Sequence, residues 1–107
     1  LQAYFQVNQQ IHTALVAASK NEVLVTTHHR LLARATRARY FALSSRQRWD
    51  DSVEEHRAVL GALGAGQAEE AGRLMSHHVG RTGDVVVESL RRQIADGASL
   101  RPGAAAV

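Results

Sequence analysis

Four side chains on separate stretches could do chemistry together: Asn8 and His12 in Asn8-x-x-x-His12, His56 in Glu54-Glu55-His56, and His78 in Met75-Ser76-His77-His78. Each falls among regularly spaced apolar residues, not in a polar loop. If those stretches are helices of one bundle, three imidazoles and an amide oxygen face one interior, and a pocket able to hold a metal ion follows. With no cysteine in the chain, disulfides and thiolate metal sites are excluded. The same residues also suit a polar core without metal. Buried histidines are usually satisfied by hydrogen bonds, and Asn8 and His12, one helical turn apart, could simply bond each other.

The elements that must position these residues read as helices. The 107 residues are 45% hydrophobic and hold one Pro, enough for one small domain with a modest core. Abundant Ala, Leu, Arg and Glu favour helix over strand, so the chain is predicted to be all-α, an antiparallel bundle of about four helices. A first helix is expected over residues 2–19, with Phe5, Asn8, His12 and Leu15 on one face. Ser19-Lys20-Asn21 breaks it, and Asn21 is a cap for a second helix to about Leu43. There the expected stripe is Leu24, His28, Leu31, Ala35, Ala38 and Ala42. His28 is thus a fourth stripe histidine, held in reserve as a ligand-pocket residue, while His29 lies off the stripe in solvent.

A third helix over 46–63 should bury Trp49, Val53, His56, Leu60 and Leu63, leaving Glu54 and Glu55 outside. Gly64-Ala65-Gly66 then supplies the left-handed residue that closes a helix C-terminus, and so short a turn makes the next helix an antiparallel neighbour. The fourth helix, over 67–96, places Ala71, Leu74, Met75, His78, Thr82, Val85 and Val86 inward. Glu70, Arg73, His77, Arg81 and Asp84 fall opposite. Adjacent helical residues differ by roughly 100°, so helical phase selects His78 over His77. Gly80 and Gly83 weaken this helix and suggest a kink or close packing. Residues 1–96 are therefore read as one ligand-binding bundle and 97–107 as a flexible tail.

The net charge of +3 and a pI near 10.2 come largely from Arg30, Arg34, Arg37, Arg39, Arg46 and Arg48. A row of Arg at helical spacing is more often a solvated face than a phosphate-binding surface, and no helix-turn-helix, zinc finger or RNA-binding motif accompanies it. No stretch has the apolar length to cross a bilayer and no leader precedes the first helix, so a cytoplasmic protein without membrane contact is expected.

Taken in order, four motifs carry a resemblance. They are Asn8-x-x-x-His12, Ser19-Lys20-Asn21, Glu55-His56-x-x-x-Leu60-x-Ala62-x-x-x-Gly66 and Ala71-x-x-x-Met75-x-x-His78. Over roughly Phe5 to Val87 the chain resembles the FCD domain, the C-terminal effector-binding domain of FadR-type regulators in the GntR superfamily. The resemblance implies an antiparallel all-helical bundle whose interior holds a metal on an Asp and three His. Carried over, the ligands are Asn8, His12, His56 and His78, with a divalent transition ion of the Zn, Ni or Mn class. Asn8 departs from the family aspartate, a neutral oxygen in place of a charged one. The winged helix-turn-helix that binds DNA and the first helices of the family domain are absent, and Leu1 stands where Met would, as expected of a fragment or truncated relative.

Three nitrogens and one weak oxygen leave coordination positions open. In a sensor these accept a small carboxylate, aided by Arg34 or Arg37 if the second helix turns that face inward, with His28 beside them. Binding would bias one bundle conformation within a homodimer, and DNA would be reached only through the missing winged helix-turn-helix domain. A metal-free helical dimerisation module is the alternative. A metal-dependent hydrolase on three histidines is a third, and it lacks a visible general base. The expectation is a sensor, not an enzyme.

Overall fold

The computed structural model describes residues 2–43 and 45–97, with the side chains of 41–43 outside that description. Four helices account for nearly all of it: α1 (Gln2–Ala18), α2 (Glu22–Leu43), α3 (Arg46–Gly64) and α4 (Ala68–Ala95). No strand occurs among the described residues, so the chain is all-α as its composition predicts. It divides into two compact units, Leu1–Arg46 and Gln47–Val107, each a helical hairpin. The expected tail lies outside the described residues except for Gly97.

In the N-terminal unit, α1 buries Phe5, Asn8 and His12 along one face, with Ile11 and Leu15 half-buried beside them. The Phe5 ring meets Tyr40 edge-on, centroids 5.3 Å apart, which sets α2 antiparallel to α1. Ser19-Lys20-Asn21 makes the turn: Lys20 takes a left-handed backbone (φ 53°), and Asn21 Oδ1 accepts from the backbone N–H of Leu24 at 3.1 Å. That is the cap the sequence leads one to expect. The α2 stripe needs correcting. Leu24 and Leu31 are exposed, and the half-buried positions are His28, Leu32, Ala35, Thr36, Ala38 and Arg39. Ala42, also expected inward, has a side chain outside the description.

In the C-terminal unit the α3–α4 turn closes as a Schellman motif. Gly66 has φ +72°, its N–H bonds the Leu63 carbonyl at 3.0 Å, and the Gln67 N–H bonds the Ala62 carbonyl at 2.9 Å. The two helices run antiparallel, with Asp51 beside Arg81 and Glu55 beside both Arg81 and His78. Helix α4 carries Glu69 and Glu70 in its first turn and Arg92 in its last, signs that suit its dipole. Its inner face is the expected one: Ala71, His78 and Thr82 are buried, and Leu74, Met75, Val85 and Val86 are half-buried. One helix continues through Gly80 and Gly83, and a Cβ at either would meet no atom within 4 Å, so close packing is not their role.

Helix α3 is rotated from the expected face. Arg48, Ser52, His56, Val59 and Ala62 are buried, whereas Leu60 and Leu63 are 53% and 42% exposed. The rotation swaps leucines for an arginine and a serine, which costs hydrophobic burial unless the polar groups are paired. Arg48 is paired through both terminal nitrogens, and its pairs make the candidate site.

Candidate metal centre

Buried polar residues outnumber buried apolar ones in the C-terminal unit: Arg48, Ser52, His56, His78 and Thr82 against Val59, Ala62 and Ala71 among the described residues. So polar an interior is expensive as a core and reasonable as a site. At its middle the His56 and His78 rings lie 4.4 Å apart, centroid to centroid, tilted by 54°. His78 is 2% exposed and His56 5%. His77, its neighbour, is exposed, as helical phase requires.

Glu55 joins the two helices. Its Oε2 lies 2.5 Å from His78 Nδ1 and also accepts from Arg48 Nη2, while its Oε1 accepts from Arg48 Nη1 at 3.1 Å and from Arg81 Nη1 at 2.6 Å. Arg81 continues to Asp51 Oδ2 at 2.8 Å, and Gln47 Nε2 caps Asp51 Oδ1 at 2.8 Å. Burial raises the Glu55 carboxyl, but the hydrogen bonds from Arg48 and His78 and the charge of Arg48 outweigh it and hold it down at about 2. Asp51 is lowered by its hydrogen bonds from Gln47 and Arg81.

Two contacts compete for His78 Nδ1, since Arg48 Nη2 lies 3.2 Å away and could only donate to it. The closer contact decides. An ionised carboxylate accepts only, so 2.5 Å to Glu55 requires a proton on Nδ1, and Arg48 then serves the carboxylate instead. His78 is assigned the Nδ1–H form on that ground, which leaves Nε2 as the nitrogen with the lone pair.

In the N-terminal unit Asn8 and His12 are buried one turn apart on α1, 2% and 6% exposed. Asn8 Oδ1 finds no hydrogen-bond partner among the described residues. The expected Asn8–His12 bond therefore does not satisfy that oxygen. A buried amide acceptor without a donor is rare, and an ion or bound water explains one. Three buried histidines, His12, His56 and His78, could hold a metal ion. Three imidazoles without a thiolate fit a divalent ion of borderline softness.

The remaining expected residues lie on α2. Arg34 and Arg37 are exposed, and the arginine of α2 that turns inward is Arg39, whose burial lowers its pKa. His28 is half-buried and lines a cleft of about 240 Å³ between α1 and α2 together with His29, Thr13, Val16, Val25 and Leu32. Sequence reasoning missed Arg48, Asp51, Glu55 and Arg81, and placed Glu55 and Arg81 on outer faces. A signal existed: Arg48, Ser52 and Glu55 recur at four- and three-residue steps, two turns of one face.

An all-α chain with histidines buried beside a tethered carboxylate defines the class as a helical domain with a polar interior site. Residues 1–81 match the FCD domain, and the chain belongs to the FCD domain family. No curated protein and no solved structure matches it. Domains of this family are regulatory, and no helix among the described residues is long and apolar enough to cross a membrane.

Proposed function

We propose that this chain is the effector-sensing domain of a GntR/FadR-type regulator in which Asn8 and His12 join His56 and His78 around one divalent ion of the Zn, Ni or Mn class. The two helical hairpins then act as one domain. Bound there, the ion supplies positive charge and open positions for a small carboxylate effector. The observation that carries the reading is the orphaned, buried Oδ1 of Asn8, at the place where the family puts an acidic ligand. The imidazoles of His12, His56 and His78 supply the nitrogens, and Glu55 orients one of them. Effector binding biases one packing of the helices, and in a cytoplasmic homodimer that bias reaches DNA through winged helix-turn-helix domains, which such regulators carry. Arg34, Arg37 and His28 of α2 are candidates for contact with the effector only in a conformation that turns them inward.

Sensing is favoured over hydrolysis by the state of Glu55. A general base works best with a pKa near the working pH, and this carboxyl sits at about 2 with two arginines on it. A metal-free dimerisation module is the second reading. It is supported by Val79, Val87, Leu90 and Ile94, which fall within one narrow face of α4 and are 45–70% exposed.

Elemental analysis of untagged protein tests the first reading, with close to one equivalent of a transition metal and a rise in melting temperature on adding zinc or nickel expected. Less than about a tenth of an equivalent, with no thermal shift, sinks it. A panel of dicarboxylates should stabilise the loaded protein without being consumed. For the second reading, sedimentation should show a concentration-dependent dimer irrespective of chelator.

A further inference from the structure

We propose that Glu55 is a positioning residue for His78: it accepts the Nδ1 proton and so fixes the ring with Nε2 as the donating nitrogen, while Arg48 and Arg81 hold the carboxylate in place. The inference rests on the metal reading above and extends it to residues outside the ligand set. Four observations in the C-terminal unit carry it.

The first is distance: Glu55 Oε2 stands 2.5 Å from Nδ1, within the range of a charge-assisted bond. The second is that the carboxylate cannot swing away. Arg48 grips it with both terminal nitrogens, and Arg81 bonds Oε1 from the other helix at 2.6 Å. The third is that Arg81 is itself tied to Asp51 at 2.8 Å, and Asp51 to Gln47, so the chain of contacts runs along α3 back to its first turn. The fourth is burial: the Arg48 and His78 side chains are each 2% exposed, which shields their bonds to Glu55 from water.

The chemistry follows. A neutral imidazole can bind an ion through one nitrogen only, and the carbon–nitrogen ring offers two choices that differ in direction. A carboxylate on one nitrogen removes the choice, raises the basicity of the other and lowers the rotational freedom lost on binding. Two guanidinium groups on Glu55 hold the carboxylate where it accepts the Nδ1 proton. This explains why α3 turns Arg48 inward in place of a leucine.

The test uses the full chain with 15N-labelled histidine, in wild type, Glu55→Gln and Arg81→Met, with His78→Gln to assign the His78 signals. In metal-free wild type, the His78 ring should show a protonated Nδ1 and a bare Nε2. Glu55→Gln, of nearly the same shape, should give a mixture of the two tautomers. Its zinc affinity by calorimetry should fall roughly ten- to a hundredfold. Arg81→Met, which leaves Glu55 and Arg48 in place, should weaken zinc several-fold, and it decides the matter if Glu55→Gln does not fold. Unchanged His78 nitrogen shifts together with unchanged zinc affinity in the variants would overturn the proposal. A wild type that binds no zinc overturns the metal reading instead, and the nitrogen shifts of the metal-free proteins still decide whether Glu55 sets the ring.

Discussion

In the α3–α4 hairpin the buried His78 leans on a carboxylate that two arginines hold, whereas in the α1–α2 hairpin Asn8 is buried with an amide oxygen that has no partner among the described residues. Both hairpins place histidine on an inner face at helical spacing, and they stabilise it by different means. In the C-terminal unit, orientation is fixed by ionic hydrogen bonds made on folding, so the ring is set before any ligand arrives. In the N-terminal unit, Phe5 against Tyr40 and the α1 face supply the packing, and the unsatisfied acceptor is a cost that only a cation or donor removes. Such a division suits a sensor. One half is rigid and the other gains stability when the site is filled, so binding energy goes into a change of state.

The largest effect should come from cutting the rigid half. Glu55→Ala leaves Arg48 buried without its carboxylate partner and Arg81 with Asp51 alone, and removing one member of a buried pair costs about 3 kcal/mol. Urea unfolding of the metal-free protein should show that loss. A change under about 1 kcal/mol would mean that the network adds nothing to folding and that the contrast between the hairpins is only geometric. The same network predicts acid sensitivity. Glu55 titrates at about 2 in the folded protein against an ordinary value of 4.5, so the unfolded chain holds more protons between those values. This contribution to stability is fully present above about pH 4.5 and is lost as the pH falls through the window toward 2. Metal-free Glu55→Gln should show a flatter stability profile across that range.

The α1–α2 hairpin is tested at Asn8. Asn8→Asp buries a carboxylate with no partner, so the metal-free protein should melt lower than wild type, while zinc should bind about tenfold tighter, or about 1.4 kcal/mol. Thermal melts with chelator and with zinc should therefore move in opposite directions. An equal shift in both conditions would remove Asn8 from the ligand set and leave its oxygen orphaned for another reason.

How much of this was legible depended on whether a residue was placed by phase or by partner. Helical phase picked His78 over His77, put Asn8 and His12 on the inner face of α1, and found the cap at Asn21 and the left-handed Gly66, because each follows from the backbone's own period or local chemistry. Helix α3 was misjudged because two stripes share His56. The one through Trp49, Val53, Leu60 and Leu63 carries more apolar bulk. The one through Arg48, Ser52, Val59 and Ala62 is buried, since Arg48 finds Glu55 two turns on along the same helix and Glu55 finds His78 and Arg81 across the hairpin. A charged residue alone reads as solvated, and the partners of Glu55 on α4, 23 and 26 positions away, are invisible to any local pattern. The exposed Leu24 and Leu31 have no comparable account in the contacts of α2.

The smallest effect asks whether His78 is positioned by its network or merely by its helix. Gly80 lies two residues beyond His78, is exposed, and has open space where a Cβ would stand. Gly80→Ala should therefore stabilise α4 by up to about 1 kcal/mol, since alanine loses less backbone entropy and nothing obstructs it. If Glu55, Arg48 and Arg81 set the ring, a stiffer helix changes nothing at Nε2. The melting temperature should rise by a few degrees while zinc affinity stays within twofold of wild type. Should zinc bind markedly tighter instead, fraying of α4 near its glycines would be what limits the site, and the rigidity assigned to the C-terminal hairpin would belong to the bound state alone.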